Sequence, residues 1–309
     1  MEKFTLVIGD QHKDRQLKSI IKEEFGFSSR MMSKIKYQHL LRLNGESVPG
    51  WVVANVGDTV TVSLPDEQSN FPPQPIPLEI VYEDADMLIL NKQPGVTVHP
   101  TRGKPDGTIA NGLMHYMEMT EQKFKIRFVN RLDMDTSGLL IIAKNAYCQH
   151  ELSKAMKYNQ VTKKYIAFTD GIIENDQFTI DLPIGRPSPD SIKRGVLAPE
   201  AGGAPSITHV KVLERYVEKN TTKIQVHLET GRTHQIRVHM SAIGHPLLGD
   251  WLYDGPTESF DLRQALHSYY LSFKHPITKE ILTIEAPLPP DLQALEEYLS
   301  SDDNKANNG

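Results

Sequence analysis

Sulfur chemistry is nearly absent from this chain, in which Cys148 is the only cysteine among 309 residues. One thiol excludes an internal disulfide framework and suits a reducing compartment. The opening Met1-Glu2-Lys3-Phe4 lacks the pattern of a secretory signal, and no apolar run is long enough to span a bilayer. A cytoplasmic protein without membrane attachment is the expectation. Zinc-type ligand spacing is also missing. His234, His239 and His245 lie close in sequence, but residues five apart do not share a helix face as residues three or four apart do. Capping or core roles are expected for them, and no metal. Neither Gly202-Gly203 nor the loop Pro94 to Pro100 has the glycine spacing of a phosphate cradle, so both read as turns. No internal repeat is visible.

What is present is ordinary in amount and uneven in arrangement. The length allows a large core and two domains. The 39% hydrophobic and 24% charged fractions are those of a soluble globular chain, so composition excludes a disordered or fibrous class. The net charge of -5 argues weakly against nucleic acid, but it is an average. Between Gln11 and Arg42 there are eight Lys or Arg against three acids, a net of +5. From Pro287 onward five acids stand against one Lys, a net of -4. On charge alone, a solvated helix face explains the basic stretch as well as a nucleic-acid surface does.

Periodicity orders the front of the chain. Phe4 to Ile8 reads as a strand, and Leu17, Ile20, Ile21 and Phe25 set a helix over Asp14 to Phe25. Ser28 or Ser29 caps a second helix carrying Met31, Met32 and Ile35. Asn44-Gly45 turns between short strands, and Thr59 to Leu64 is another strand. From Gln11 to Leu64 this layout resembles the alpha-L RNA-binding module first seen in a small-subunit ribosomal protein. The resemblance implies an RNA-binding domain over 1–68, with Arg15, Arg30, Lys34 and Lys36 as contacts.

Residues 69–77 are proline-rich and read as a semi-rigid linker. Beyond them, strands are expected at Leu78–Tyr82, Met87–Asn91, Gly138–Ala143, Lys164–Phe168, Ile207–Leu213, Lys223–Leu228, Leu266–Phe273 and Ile281–Glu285. Helices are expected at Thr108–Met117, Ala146–Tyr158, Thr233–Ile243 and Asp291–Leu299. Strands outnumber helices without alternating with them, which predicts an α+β class. The expected architecture is a large domain over 78–299, its mixed, mainly antiparallel sheet flanked by helices, behind the small α/β module. A flexible tail is expected over 300–309.

Two stretches concentrate chemistry. Arg131-Leu132-Asp133-Met134-Asp135-Thr136-Ser137-Gly138 empties into the apolar run Leu139 to Ala143, delivering one Arg and two Asp to the edge of a rigid core. Taken alone, Arg-Leu-Asp before a strand is a turn with a surface ion pair of little worth. The second stretch runs from Leu228 to Met240. Gly231 ends a strand, Thr233 can cap a helix with Ile236, Met240 and Ile243 on its buried side, and Arg232 at the junction can reach a carboxylate from another strand end.

Together with Lys92-Gln93-Pro94-Gly95, Val98-His99-Pro100 and Lys163-Lys164-Tyr165, these stretches resemble the RluA-like family of RNA pseudouridine synthases. The pieces RLDMDTSGLL and TGRTHQIRVHMSAIGHPLLGD (Thr230 to Asp250) stand in the family's order, from about Leu78 to Leu288. With the alpha-L module in front, the chain is similar to the subset that modifies ribosomal RNA. The resemblance implies catalytic roles for Asp133, for Tyr165 stacking on the target uracil, and for Arg232 pairing with Asp133. It implies that Tyr165 is also placed to help remove the C5 proton of the uracil, that Arg131 fills the gap left by a flipped uridine, and that His99, Thr136 and Leu228 bind substrate. Asn130 and Met134 depart from the family's usual His and Arg or Lys.

The implied reaction detaches uracil at N1 and rejoins it through C5 to the same sugar carbon, with no redox change and no net hydrolysis. No cofactor is expected. A carboxylate serves either as nucleophile at the anomeric carbon or as base at the sugar, and both roles stay open. Large-subunit ribosomal RNA is the first expected substrate and transfer RNA the second, and a monomer suits reaching into folded RNA. Two rivals remain: a hydrolytic glycosidase using Asp133 and Asp135, and a non-catalytic RNA-binding or ribosome-assembly protein.

Overall fold

A computed structural model describes residues 2–101, 103–257 and 263–301. At the front, strand β1 (Glu2–Val7) is followed by helices α1 (Leu17–Glu24) and α2 (Ser29–Tyr37) and by strands β2 (Leu41–Leu43), β3 (Glu46–Ser47) and β4 (Thr59–Ser63). The Ser28 hydroxyl accepts a hydrogen bond from the amide of Met31 at 3.2 Å, satisfying one of the unpaired donors at the start of α2. Leu17, Ile20, Ile21, Met31 and Ile35 turn one face of each helix onto the sheet β1-β4-β2-β3. This small core is closed from outside by Tyr147, whose ring meets Phe4 at 4.7 Å and Phe27 at 5.7 Å, both edge-on.

The expected spacer is not free. Asn111 donates to the Pro72 carbonyl at 2.8 Å, the Gln74 amide donates to the Asn111 carbonyl at 3.1 Å, and the Gln74 side chain accepts from the Gly107 amide at 2.7 Å. A Cβ on Gly112 would stand 3.1 Å from Ile76 and 3.2 Å from Leu78, so a side chain there would push the connector away. Residues 69–77 therefore lie as a strap on the following body.

The strands of that body are β5 (Glu79–Glu83), β6 (Met87–Lys92), β7 (Arg127–Phe128), β8 (Ser137–Ala143), β9 (Thr162–Asp170), β10 (Gln177–Asp181), β11 (Ile184–Gly185), β12 (Gly195–Val196), β13 (Ile207–Tyr216), β14 (Thr221–Leu228), β15 (Leu266–Lys274) and β16 (Ile281–Glu285). Its helices are α3 (Ile109–Met119), α4 (Ala146–Lys157), α5 (Gln235–Ala242) and α6 (Pro290–Ser300). Ten strands form one sheet, in the order β10-β13-β14-β9-β15-β8-β6-β5 with β16 on β15 and β7 on β8. Its pairs are antiparallel except β8 with β15. The α+β expectation holds. Both faces are covered, which is why β8 is buried at every position rather than alternating. One face packs Leu88, Leu90, Leu140 and Ile142 against α3 and α5, and the other packs Met87, Ile89, Leu139 and Ile141 against α4.

The parallel junction rests on one residue. Gly138 has φ +111°, and a Cβ there would fall 2.2 Å from the Ser268 carbonyl oxygen. No other residue fits that approach. Past residue 301, the expected tail lies outside the described residues. No helix among the described residues is long and apolar enough to cross a membrane.

Candidate active site

The loop before β8 is tied down at each step. Asn130 accepts from the Ile141 amide at 2.8 Å and donates to the Leu139 carbonyl at 3.1 Å, so its side chain pairs with β8 as a neighbouring strand would. The Thr136 amide donates to the Asp133 carbonyl at 3.2 Å. Lys92, at the end of β6, is 1% exposed and donates to the carbonyls of Met134, Val96 and Gln93 at 2.8–3.0 Å. Burial pushes its pKa down to about 7, while three acceptors around Nζ match the three donors of an ammonium. From the other side Arg263 donates to the Asp135 carbonyl at 2.7 Å and to the Ser137 hydroxyl at 2.9 Å, and its guanidinium pairs with Asp291 at 2.9 Å. Ser137 is also 2.9 Å from Nδ1 of His267, whose pKa burial pushes down to about 4. That imidazole is neutral at pH 7, so Nδ1 accepts the serine proton while Nε2 faces the Ala286 carbonyl.

The loop opens on a cavity of about 80 Å³ lined by Arg131, Asp133, Thr136, Tyr165, Leu228 and Arg232, with the α5 entry from Gly231 to Arg237 closing one side. Tyr165 of β9 lies opposite Val226 of β14 and Ser268 of β15. Its side chain is buried, and burial pushes the phenol up to about 12, so the hydroxyl keeps its proton at neutral pH. Arg131 is exposed at the rim. Asp135 is not among the lining residues, so the two carboxylates of the loop do not face each other across the cavity.

The arginine beside Asp133 is not the expected one. Arg232 is exposed, and its Nε donates to the Pro205 carbonyl at 3.2 Å. The guanidinium that approaches Asp133 is that of Arg237, with NH1 at 3.4 Å from Oδ2. Arg237 is clamped by fully buried Asp250, Nε to Oδ2 at 2.7 Å and NH2 to Oδ1 at 2.8 Å. Burial works against this guanidinium, but the bonds and charge of Asp250, with the charge of Asp133, raise its pKa above the usual value. The cause of the exchange is local. Thr233 does not cap α5; His234 does, in the left-handed region at φ 60°. Gln235 then closes the loop, its Oε1 accepting from the Arg232 amide at 3.0 Å and from the Thr230 hydroxyl at 2.9 Å. The helix starts one residue later than the Thr233 cap predicts, and Arg232 lines the cavity with its Nε on the Pro205 carbonyl.

The remaining expected residues divide. His234 places Nε2 at 3.8 Å from Asp133 and Nδ1 at 2.8 Å from the Tyr253 hydroxyl, with a pKa that burial lowers despite Asp133. His239 sits between Thr208 and the Leu182 carbonyl, and His245 against the Asp170 carbonyl. His99 is outside the cavity, its ring edge-on to Phe128 at 5.2 Å. At the front, Arg15 is engaged by Glu23, Lys34 by Glu67 at 2.7 Å, and Arg30 and Lys36 are exposed. Of the described residues, Asp84, Asp86 and His275 could together face a metal ion. Their atoms are already bonded to Tyr82, Asn145, Lys3 and nearby amides, which is a structural network.

A family profile described as RNA pseudouridylate synthase matches residues 86–242. An RNA pseudouridine synthase of Bacillus subtilis, YjbO, is 42% identical over 275 residues, spanning 88% of this chain and 95% of that protein. The ribosomal large subunit pseudouridine synthase D of Vibrio parahaemolyticus is 39% identical over 317 residues, spanning 97% of this chain and 95% of its own. Among solved structures, human RNA pseudouridylate synthase domain containing 1 superposes with TM-score 0.58 at 30% identity, covering 74% of this chain and 97% of that one.

Proposed function

The chain belongs to the RluA-like family of RNA pseudouridine synthases, and from that premise we propose that it isomerises uridines of large-subunit ribosomal RNA with Asp133 as the catalytic carboxylate. The observation that carries the assignment is the meeting of Asp133, Tyr165 and Arg237 at one small cavity between β8, β9 and α5. The similarity to a synthase named for the large ribosomal subunit supports that RNA over transfer RNA.

A duplex or folded loop hides the glycosidic bond, so the target uridine leaves its stack, at a cost of a few kcal/mol. Exposed Arg131 at the rim occupies the vacated place, and the buried Tyr165 ring gives the uracil a surface to stack on. Asp133 then acts on the sugar, as nucleophile at the anomeric carbon or as base. Arg237, held by Asp250, keeps the carboxylate aimed in both schemes and is a positioning residue. Uracil turns over in place and rebonds through C5; the C5 proton leaves to water and N1, freed from the sugar, gains one, so the isomerisation is proton-neutral. Tyr165 is a neutral phenol near pH 7, which suits stacking better than proton abstraction by a phenolate. Leu228, Ile236 and Leu266 line the cavity with apolar surface that excludes the water which would hydrolyse the detached intermediate. A monomer in the cytoplasm, with no cofactor, suffices for this chemistry.

The test is pseudouridine mapping of total RNA from cells with and without the gene. Sites lost in the deletion and restored by wild type but not by Asp133→Asn support the assignment. Restoration by Asp133→Asn refutes the role of the carboxylate, and sites lost only from transfer RNA refute the substrate.

A further inference from the structure

Between α2 and the body lies a second, larger cleft of about 520 Å³, lined by Arg30, Lys34, Glu67, His99, Lys125 and Arg127 among others. Four permanent cations line it with one carboxylate. Glu67 sits on the segment leading into the connector; its Oε1 lies 2.7 Å from Lys34 and 3.8 Å from Lys125, and its Oε2 lies 2.5 Å from buried Arg127. Arg30 has no ion pair among the described residues, and its charge adds to the burden on the Arg127 guanidinium. One acid against four bases leaves an excess of positive charge in a concave, partly desolvated place, where it is worth more than on an open face. His99 lines the cleft and is close enough to Arg131 for that charge to help lower its pKa after burial does, and Arg131 also lines the catalytic cavity.

We propose that this interdomain cleft binds the phosphodiester backbone of the RNA strand that carries the target uridine, and that the Glu67 carboxylate occupies a phosphate position until RNA displaces it from Lys34 and Lys125. The inference rests on the RNA substrate proposed above and names where its backbone runs. A carboxylate with bidentate reach to Arg127 and Lys34 offers the same anionic oxygens as a phosphate. His99 lines the cleft and lies near Arg131 of the Asp133 cavity, so a strand held in the cleft has a short course from one to the other.

The test is the salt dependence of binding of a fluorescent ribosomal RNA fragment to the full chain, with pseudouridine formation measured in parallel. Each lost phosphate contact lowers the slope of log K against log salt by about 0.7 for single strands. Arg30→Ala with Lys34→Ala is expected to lower the slope by about 1.4, and Glu67→Gln to tighten binding and steepen the slope. The two side chains of the double variant are exposed or half-buried, so its fold is retained and a melting curve verifies it. Unchanged slopes in both variants, or an equal affinity loss at every salt concentration, overturn the cleft. Those outcomes with intact pseudouridine formation leave the enzymatic reading standing, whereas wild-type protein that binds RNA and forms none overturns that reading alone.

Discussion

The Asp133 loop and the seam between the two bodies are held by different means. Around Asp133 nearly every contact is short, buried and directed: Lys92 on three carbonyls, Asn130 along β8, Arg263 on Asp135 and Ser137, Arg237 clamped by Asp250. At the seam, Glu67 is held by buried Arg127 but also meets Lys34 and Lys125, which are 30% and 47% exposed. Buried charge-assisted bonds of good geometry resist salt and fix atoms to fractions of an ångström. Half-exposed ion pairs yield to counterions and to a competing polyanion. The Asp133 loop is built on the first kind, and the part of the seam proposed above to take the RNA backbone on the second.

The sharpest break in that contrast is removal of the carboxylate itself. Asp133→Asn is expected to lower turnover by on the order of 10³–10⁴ while RNA binding and melting temperature stay put, as read by proton release from C5-labelled uridine in RNA. Next comes the clamp. Arg237→Met leaves Asp250 charged and buried, a loss of about 3–5 kcal/mol in denaturant titration, whereas exposed Arg232→Ala costs under about 0.5 kcal/mol. Comparable losses for the two arginines would erase the distinction drawn between them. His267 gives a pH test. Its folded pKa of about 4 lies below the ordinary 6.5, so the unfolded chain binds more protons between those values. Its contribution is fully present above pH 6.5 and is lost as the pH falls toward 4, about 3 kcal/mol at most. His267→Gln should flatten that part of the stability–pH curve. The smallest effect belongs to the seam, where Lys34→Met is expected to cost less than about 1 kcal/mol in low salt and nothing measurable in high salt.

Much of the fold was legible because its strands are bounded by turn residues and its front helices carry regular apolar spacing. Asp133 and Thr136 precede β8, Leu228 ends β14 and Tyr165 lies within β9, and strands bounded by turns are what alternation and apolar runs locate. Arg237 was missed because its partners, Asp250 and Asp133, are set by tertiary contact. The capping rule also favoured Thr233, where a left-handed His234 and the side chain of Gln235 make the turn instead. A paired arginine within an otherwise buried helix was the available signal. The two-residue pair β11 and β12 lacks the length for any periodicity, and the strap over α3 owes its position to Asn111, whose side chain looks unremarkable in the sequence.

Gly138 bears on how a genetic screen of this protein would be interpreted. It never lines the cavity, yet its missing side chain is what lets β8 lie against β15 and carry the loop to its place. Amino-acid changes there will score alongside changes of Asp133 among inactive alleles, and only a measurement of how much folded protein accumulates will tell an architectural null from a chemical one.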